Sequence, residues 1–365
     1  MSHHDDKSNI IRNFAPGWYA SVMGTAVIVI DIFAFQDAIP LAQVWQLLFL
    51  ALSGIMLVVI SVPWTLRWFL YFDDVWQDLQ HPVSAAFFPT MPISLIVWGI
   101  ALEKAGPLFL PEATVHAVMQ VLWLLGTVGI GIFAVLILNT YFYKEDMQWK
   151  MANLGWLIPP VSALIVPVLG GSLSLVYADA FWGPINFYTS LIYLGTGALL
   201  FLFVTATVFS RYLFHELPPG HLAPTIWIGI APTAILAITA LKFVKPLVLY
   251  FQATEEAAKT LAVMAKAAGV GLWGFAFFWL ILALVLVVLH HQQKPLPFAM
   301  SWWAFTFPSG AFVVATGVVY KAVHAPFFQA VGLLGLAGFL IVWAVVSWQT
   351  VRRVVSGEIF VKHGG

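Results

Sequence analysis

Ser301-Trp-Trp-Ala-Phe305-Thr-Phe307-Pro308-Ser-Gly310-Ala-Phe-Val-Val-Ala-Thr316-Gly-Val-Val-Tyr320 is long enough to cross a bilayer as a helix, yet holds a proline, two glycines and four hydroxyl side chains. Pro308 lacks an N–H and its ring collides with the carbonyl one turn back, so a helix through it must bend or open. Hydrocarbon cannot satisfy the freed backbone, which is tolerated only against protein or a wet cavity. This segment is therefore expected to face inward.

The rest of the chain is the medium around such a segment. Of 365 residues, 61% are hydrophobic and 9% charged, too few charges for a water-soluble protein of this size. Sixteen basic residues balance sixteen acidic ones, which gives no argument for a nucleic-acid partner. No cysteine is present, so disulfides, thiolate catalysis and thiolate metal sites are excluded. The polar start, Met1 to Arg12, does not read as a cleavable signal, and the first apolar run is expected to stay as a membrane helix.

Apolar runs of spanning length occur at about 16–35, 41–63, 84–104, 112–143, 156–177, 183–213, 223–249, 259–289, 299–322 and 327–351. The chain thus reads as an all-α integral membrane protein: a tail over 1–15, one ten-helix domain over 16–351, and a tail over 352–365. Basic residues near helix ends orient it. With the N-terminus inside, Lys7, Arg12, Arg67, Lys144, Lys150, Arg211, Lys294, Arg352, Arg353 and Lys362 are cytoplasmic, whereas Lys104, Lys242, Lys245, Lys259, Lys266 and Lys321 are outside. Both termini are then cytoplasmic in an inner or plasma membrane.

Prolines subdivide the domain. Many, Pro63 among them, fall at expected helix ends, but the odd-numbered spans also carry them within or at their openings. One per odd span, Pro16, Pro89, Pro160, Pro232 and Pro308, advances by 73, 71, 72 and 76 residues. This is a repeat of about seventy residues, each unit a helical hairpin. The competing reading is that membrane helices tolerate proline anyway; segregation to alternate helices favours five bent inner helices around a pore and five straighter outer ones. Near the bends lie Thr25, Thr90, Ser94, Ser162, Thr233, Ser309 and Thr316, expected as a polar lining that can donate to a passing anion. Singly, each hydroxyl could instead bond a carbonyl of its own helix. Asp31, Lys242, Lys245 and Lys321 fall at the outer ends of odd spans and suggest an anion-concentrating vestibule in which Asp31 pairs with Lys242, although Lys245 and Lys321 could equally snorkel to headgroups. The histidines, including His3 with His4 and His290 with His291, lack the spacing of a catalytic metal site, and neither metal nor cofactor is expected.

Several stretches resemble a known family. Asn13-Phe-Ala-Pro-Gly-Trp-Tyr-Ala-Ser-Val-Met-Gly-Thr25 is similar to the opening of the tellurite-resistance and dicarboxylate transporter family, which includes plant guard-cell slow anion channels and malic acid transport proteins. His81-Pro-Val-Ser-Ala-Ala-Phe-Phe-Pro-Thr-Met-Pro-Ile-Ser-Leu95 resembles its third-helix signature, and Trp156 to Gly170 and Trp302 to Pro308 resemble its fifth and ninth helices. The resemblance implies a quasi-fivefold arrangement of five hairpins, a central pore lined by odd helices, and a homotrimer whose protomers each have a pore. It also implies a ninth-helix phenylalanine plugging that pore. Phe307 matches it, with Phe305 as the alternative. A ring across a narrow pore removes the water an ion needs.

The expected function is passage of small anions, chloride or nitrate, malate and related dicarboxylates, or sulfite, by a channel or by a proton-coupled carrier. A membrane enzyme or redox subunit would want paired intramembrane histidines or clustered carboxylates; a non-transporting sensor is the third possibility.

Overall fold

A computed structural model describes residues 9–216, 218–293 and 295–360. Lys7, Lys294, Lys362, His3 and His4 lie outside these residues. Among the described residues the secondary structure is entirely helical. Ten helices are long and apolar enough to cross a membrane: Pro16–Ala34, Ala42–Leu70, Ala85–Leu108, Glu112–Tyr143, Leu154–Val176, Trp182–Phe214, Gly220–Lys242, Glu255–Gln293, Met300–Val323 and Pro326–Ser356.

Burial divides them by parity. The most apolar windows of the odd spans are 78 to 100% buried and those of the even spans 17 to 33% buried, so the odd spans form the interior. Each odd span packs on the even span that follows it, giving five hairpins. The first span also packs on the third, the third on the fifth, the fifth on the seventh and the seventh on the ninth; the ninth returns to the first and closes a ring.

The prolines act differently from the sequence expectation. Each odd span starts with a 3₁₀ segment, at Pro16–Trp18, Ala85–Phe87, Leu154–Leu157, Gly220–Gly229 and Met300–Phe305, and then becomes α-helical. Pro16 opens the 3₁₀ turn of the first span, and Pro89 stands directly before the helix Thr90–Ala105. Pro160, Pro232 and Pro308 sit in the first turns of the helices Ile158–Val176, Ile230–Lys242 and Phe307–Val323. In a first turn the missing N–H is one of the unpaired donors anyway, and the fixed φ suits the helix. These residues therefore mark where 3₁₀ gives way to α rather than kinking a continuous helix.

Three boundaries also move. Pro63 lies inside the second span, which runs on to Leu70, so interior proline is not confined to odd spans. The seventh span ends at Lys242, and Val244–Tyr250 forms a separate short helix that carries Lys245 outside the span. The last span continues to Ser356, five residues past the expected end at 351.

Candidate functional site: two axial cavities that share Phe307

Two small cavities lie inside the ring of odd spans, of about 40 and about 30 Å³. Each has space for roughly two or three waters. All five odd spans contribute to both. Along the two cavities the first span presents Ala20, Met23, Val27 and Ile30, and the third Thr90, Ile93, Val97 and Ile100. The fifth presents Ile158, Val161, Ile165 and Val168, the seventh Ile228, Ala231, Ile235 and Ile238, and the ninth Ala304, Phe307, Ala311 and Val314.

Every set has the spacing i, i+3, i+7, i+10, which keeps one face of a helix turned to the axis over three turns. The first members advance from 20 to 90, 158, 228 and 304, close to the period of the prolines but in different register. Pro16 precedes its stripe by four residues and Pro308 falls four after the start of its own. The lining stripe and the prolines thus recur with similar spacing but without a fixed offset between them. Sequence reading missed the stripe because an apolar stripe in an apolar helix carries little contrast, and its steps of 70, 68, 70 and 76 residues do not superpose at one fixed period.

Phe307 alone lines both cavities. It is the first residue of the α-helix Phe307–Val323, reached from the 3₁₀ turn Met300–Phe305 through Thr306. Its ring is buried, at 6% exposure. Gly310 gives the first span access to this point: a Cβ there would collide with Val27. Phe305, the other sequence candidate, lines neither cavity; its ring stands edge-on to Trp227 at 5.5 Å and to Trp302 at 6.0 Å.

The hydroxyls correct the expected polar lining. Of the seven, Thr90 alone is on a cavity wall, and it donates to backbone carbonyls, to Phe87 O at 2.6 Å or Pro16 O at 3.1 Å. Thr25, Ser94, Ser162, Ser309 and Thr316 donate to carbonyls three or four residues back. Thr25, Ser309 and Thr316 also accept from the indole N–H groups of Trp343, Trp227 and Trp273, which fastens neighbouring spans together. Thr233 is buried with its hydroxyl unpartnered. The local carbonyl wins because it is already in place when the helix forms.

The charged residues separate into two groups. Asp31 is fully buried and neither carboxylate oxygen has a hydrogen-bond partner, so the expected pair with Lys242 is absent. Asp31 shares a helix face with Val27 and Ala34, which abut Gly310 and Gly317 of the ninth span. Asp31 itself lines neither cavity, although Val27, one turn before it, does. Lys242, half-buried, is the one charged residue on either cavity wall. Its electrostatic neighbours are Lys104, Glu103 and Lys321. Glu103 pairs with Lys104 at 3.0 Å, and the ammoniums of Lys104 and Lys321 lie 5.3 and 5.2 Å from the Phe33 ring centroid. Lys245 is exposed and apart from this group. Glu103 was overlooked in the sequence because it reads there only as the neighbour of Lys104. Among the described residues no cluster of side chains suits a metal ion.

The comparisons agree with this architecture. A transporter of Methanocaldococcus jannaschii, itself described as uncharacterized, is 30% identical over 98% of this chain and 99% of its own. A sulfite efflux pump, SSU1, of Arthroderma benhamiae is 24% identical over 96% of this chain and 93% of its own. An S-type anion channel of Arabidopsis thaliana, SLAH2, is 23% identical over 85% of this chain and 52% of its own. The family described as SLAC1, voltage-dependent anion channel, matches residues 13–351, and the chain belongs to this family of anion channels and transporters.

Proposed function

We propose that this protein passes small anions along the axis of the odd-span ring and that Phe307 closes the path. The observation that carries the reading is that Phe307 lines both of two cavities, each walled by all five odd spans. The walls are apolar apart from Thr90 and Lys242, so water cannot follow an ion past the ring. Phe307 stands where the ninth span changes from 3₁₀ to α, a place where a helix can adjust. Candidate substrates are chloride or nitrate, C4-dicarboxylates such as malate, and sulfite. In the same reading the five hairpins are quasi-equivalent units, protomers with separate pores associate as a homotrimer, and the terminal tails face the cytoplasm from a plasma membrane.

The test is anion current through purified protein in planar bilayers, parent against Phe307→Ala. A ring that costs about 1.4 kcal/mol to displace slows passage about tenfold, so its removal should raise the current by at least that factor. Equal currents in the two proteins would remove Phe307 as the closure.

One observation favours a second reading, a proton-coupled carrier. Asp31 supplies a buried, unpartnered carboxyl on a helix that lines the path. Such a carrier would show substrate uptake into liposomes driven by a pH gradient and abolished by Asp31→Asn.

A further inference from the structure

Lys242 closes the seventh span at the rim of the cavity on the far side of Phe307 from Ala304. The rest of that wall is aliphatic or aromatic. An ion in such a space has lost most of its water and needs a fixed group of opposite charge to replace it. The Glu103 carboxylate faces the ammoniums of Lys104 and Lys242, and Lys321, which has Asp37 as its own acidic neighbour, adds positive charge around Lys242. Glu103 also reaches the Ser172 hydroxyl of the fifth span, and its ion pair at 3.0 Å is with Lys104. Lys242 makes no ion pair within 4 Å among the described residues. Two carboxylates, of Glu103 and Asp37, face three ammoniums, so positive charge remains at the cavity wall.

We infer that Lys242 is an anion-binding station in this cavity and that Glu103 is its tethered counter-charge, displaced electrostatically by an arriving anion. The ligand is a compact anion or the compact head of a larger one: a halide, nitrate, sulfite or a single carboxylate group. A cavity of about 30 Å³ admits nothing bulkier without opening. Glu103 balances the lysine's charge while the station is empty, and weakens the bound anion by repulsion so that it can leave. Lys104 and Lys321, both placed over the ring of Phe33, draw anions to the rim without lining the cavity. The inference rests on the axial pathway proposed above.

The test is equilibrium binding, so that it does not depend on flux. Purified full-length protein in detergent is unfolded thermally over a nitrate series, with the bulky anion gluconate making up constant ionic strength. Ligand that binds the folded state raises Tm in a saturable way. The parent and Lys242→Arg should both show a saturable rise, as should Lys245→Gln, which removes an exposed lysine outside the cavity. Lys242→Gln should lose the rise, and Glu103→Gln should lower the half-saturating nitrate concentration by about threefold or more. A parent without a saturable rise, or a Lys242→Gln curve that coincides with the parent's, would overturn the station. Weaker binding in Glu103→Gln would overturn the counter-charge role. Bilayer currents separate this from the pathway: loss of the nitrate effect in Lys242→Gln with no current in parent or Phe307→Ala leaves the station and ends the conduction reading. Current in Phe307→Ala with an unaltered Lys242→Gln curve does the reverse.

Discussion

Phe307 and Phe305 are two residues apart in a chain with 30 phenylalanines, and the structure gives them different surroundings. Phe307 lines both cavities; Phe305 lines neither and is held by Trp227 and Trp302. Phe305→Ala should therefore leave bilayer current within about twofold of the parent, since its ring is off the axis. A large rise would move the closure to Phe305. Asp31 makes a thermodynamic prediction. A buried carboxyl with neither oxygen satisfied costs about 1–3 kcal/mol, so Asp31→Leu should stabilise the protein by about that amount in thermal unfolding. A lower Tm would mean that Asp31 has a polar partner, for which the buried and equally unpartnered Gln46 amide nitrogen of the adjacent second span is the candidate.

Between elements, the terminal face is held by charges and the interior by close approach. Arg67, 2% exposed, pairs with Asp78 at 2.6 Å and donates from Nε to Arg12 O at 2.9 Å, joining the second span, the short helix Phe72–Gln80 and the N-terminal segment. Asp78→Asn would leave a buried guanidinium without its counter-ion. Because Asp78 is 22% exposed, the expected loss is about 2–3 kcal/mol, below that of a fully buried pair, and is read as a fall in Tm. An unchanged Tm would mean that water replaces the carboxylate. Gly310 tests the interior: Gly310→Val would press on Val27 and should destabilise by about 1–3 kcal/mol, as overpacked interfaces do.

These elements also show what could be read in advance. The ten spans were legible because about twenty consecutive apolar residues have few alternatives, and Glu112–Tyr143 was placed with both ends correct. Inward placement of the odd spans was expected from Pro89, Pro160 and Pro308, but these prolines stand at first turns and open no helix, so the placement is found while its expected cause is not. The difference was not legible, because proline in a first turn and proline at a kink look alike in sequence. Side-chain direction was the other gap. Thr25 and Ser309 were chosen for chemistry, whereas helix phase turns them toward Trp343 and Trp227.

At the scale of the molecule, the central claim is a path along the ring axis that Phe307 alone interrupts. The absence of cysteine makes it directly accessible to thiol chemistry, since any cysteine introduced is the only one. Ala304 lines the cavity nearer the chain termini and Ala311 the cavity beyond Phe307. The measurement is modification of Ala304→Cys and Ala311→Cys by dicyanoaurate, a small linear anion that binds thiolates, added to one side of oriented sealed vesicles and read by mass. With Phe307 present, Ala304→Cys should react only from the terminal side and Ala311→Cys only from the opposite side. Combined with Phe307→Ala, each should react from both. Reaction of Ala311→Cys from both sides while Phe307 is intact, or from neither side once it is removed, would contradict the account.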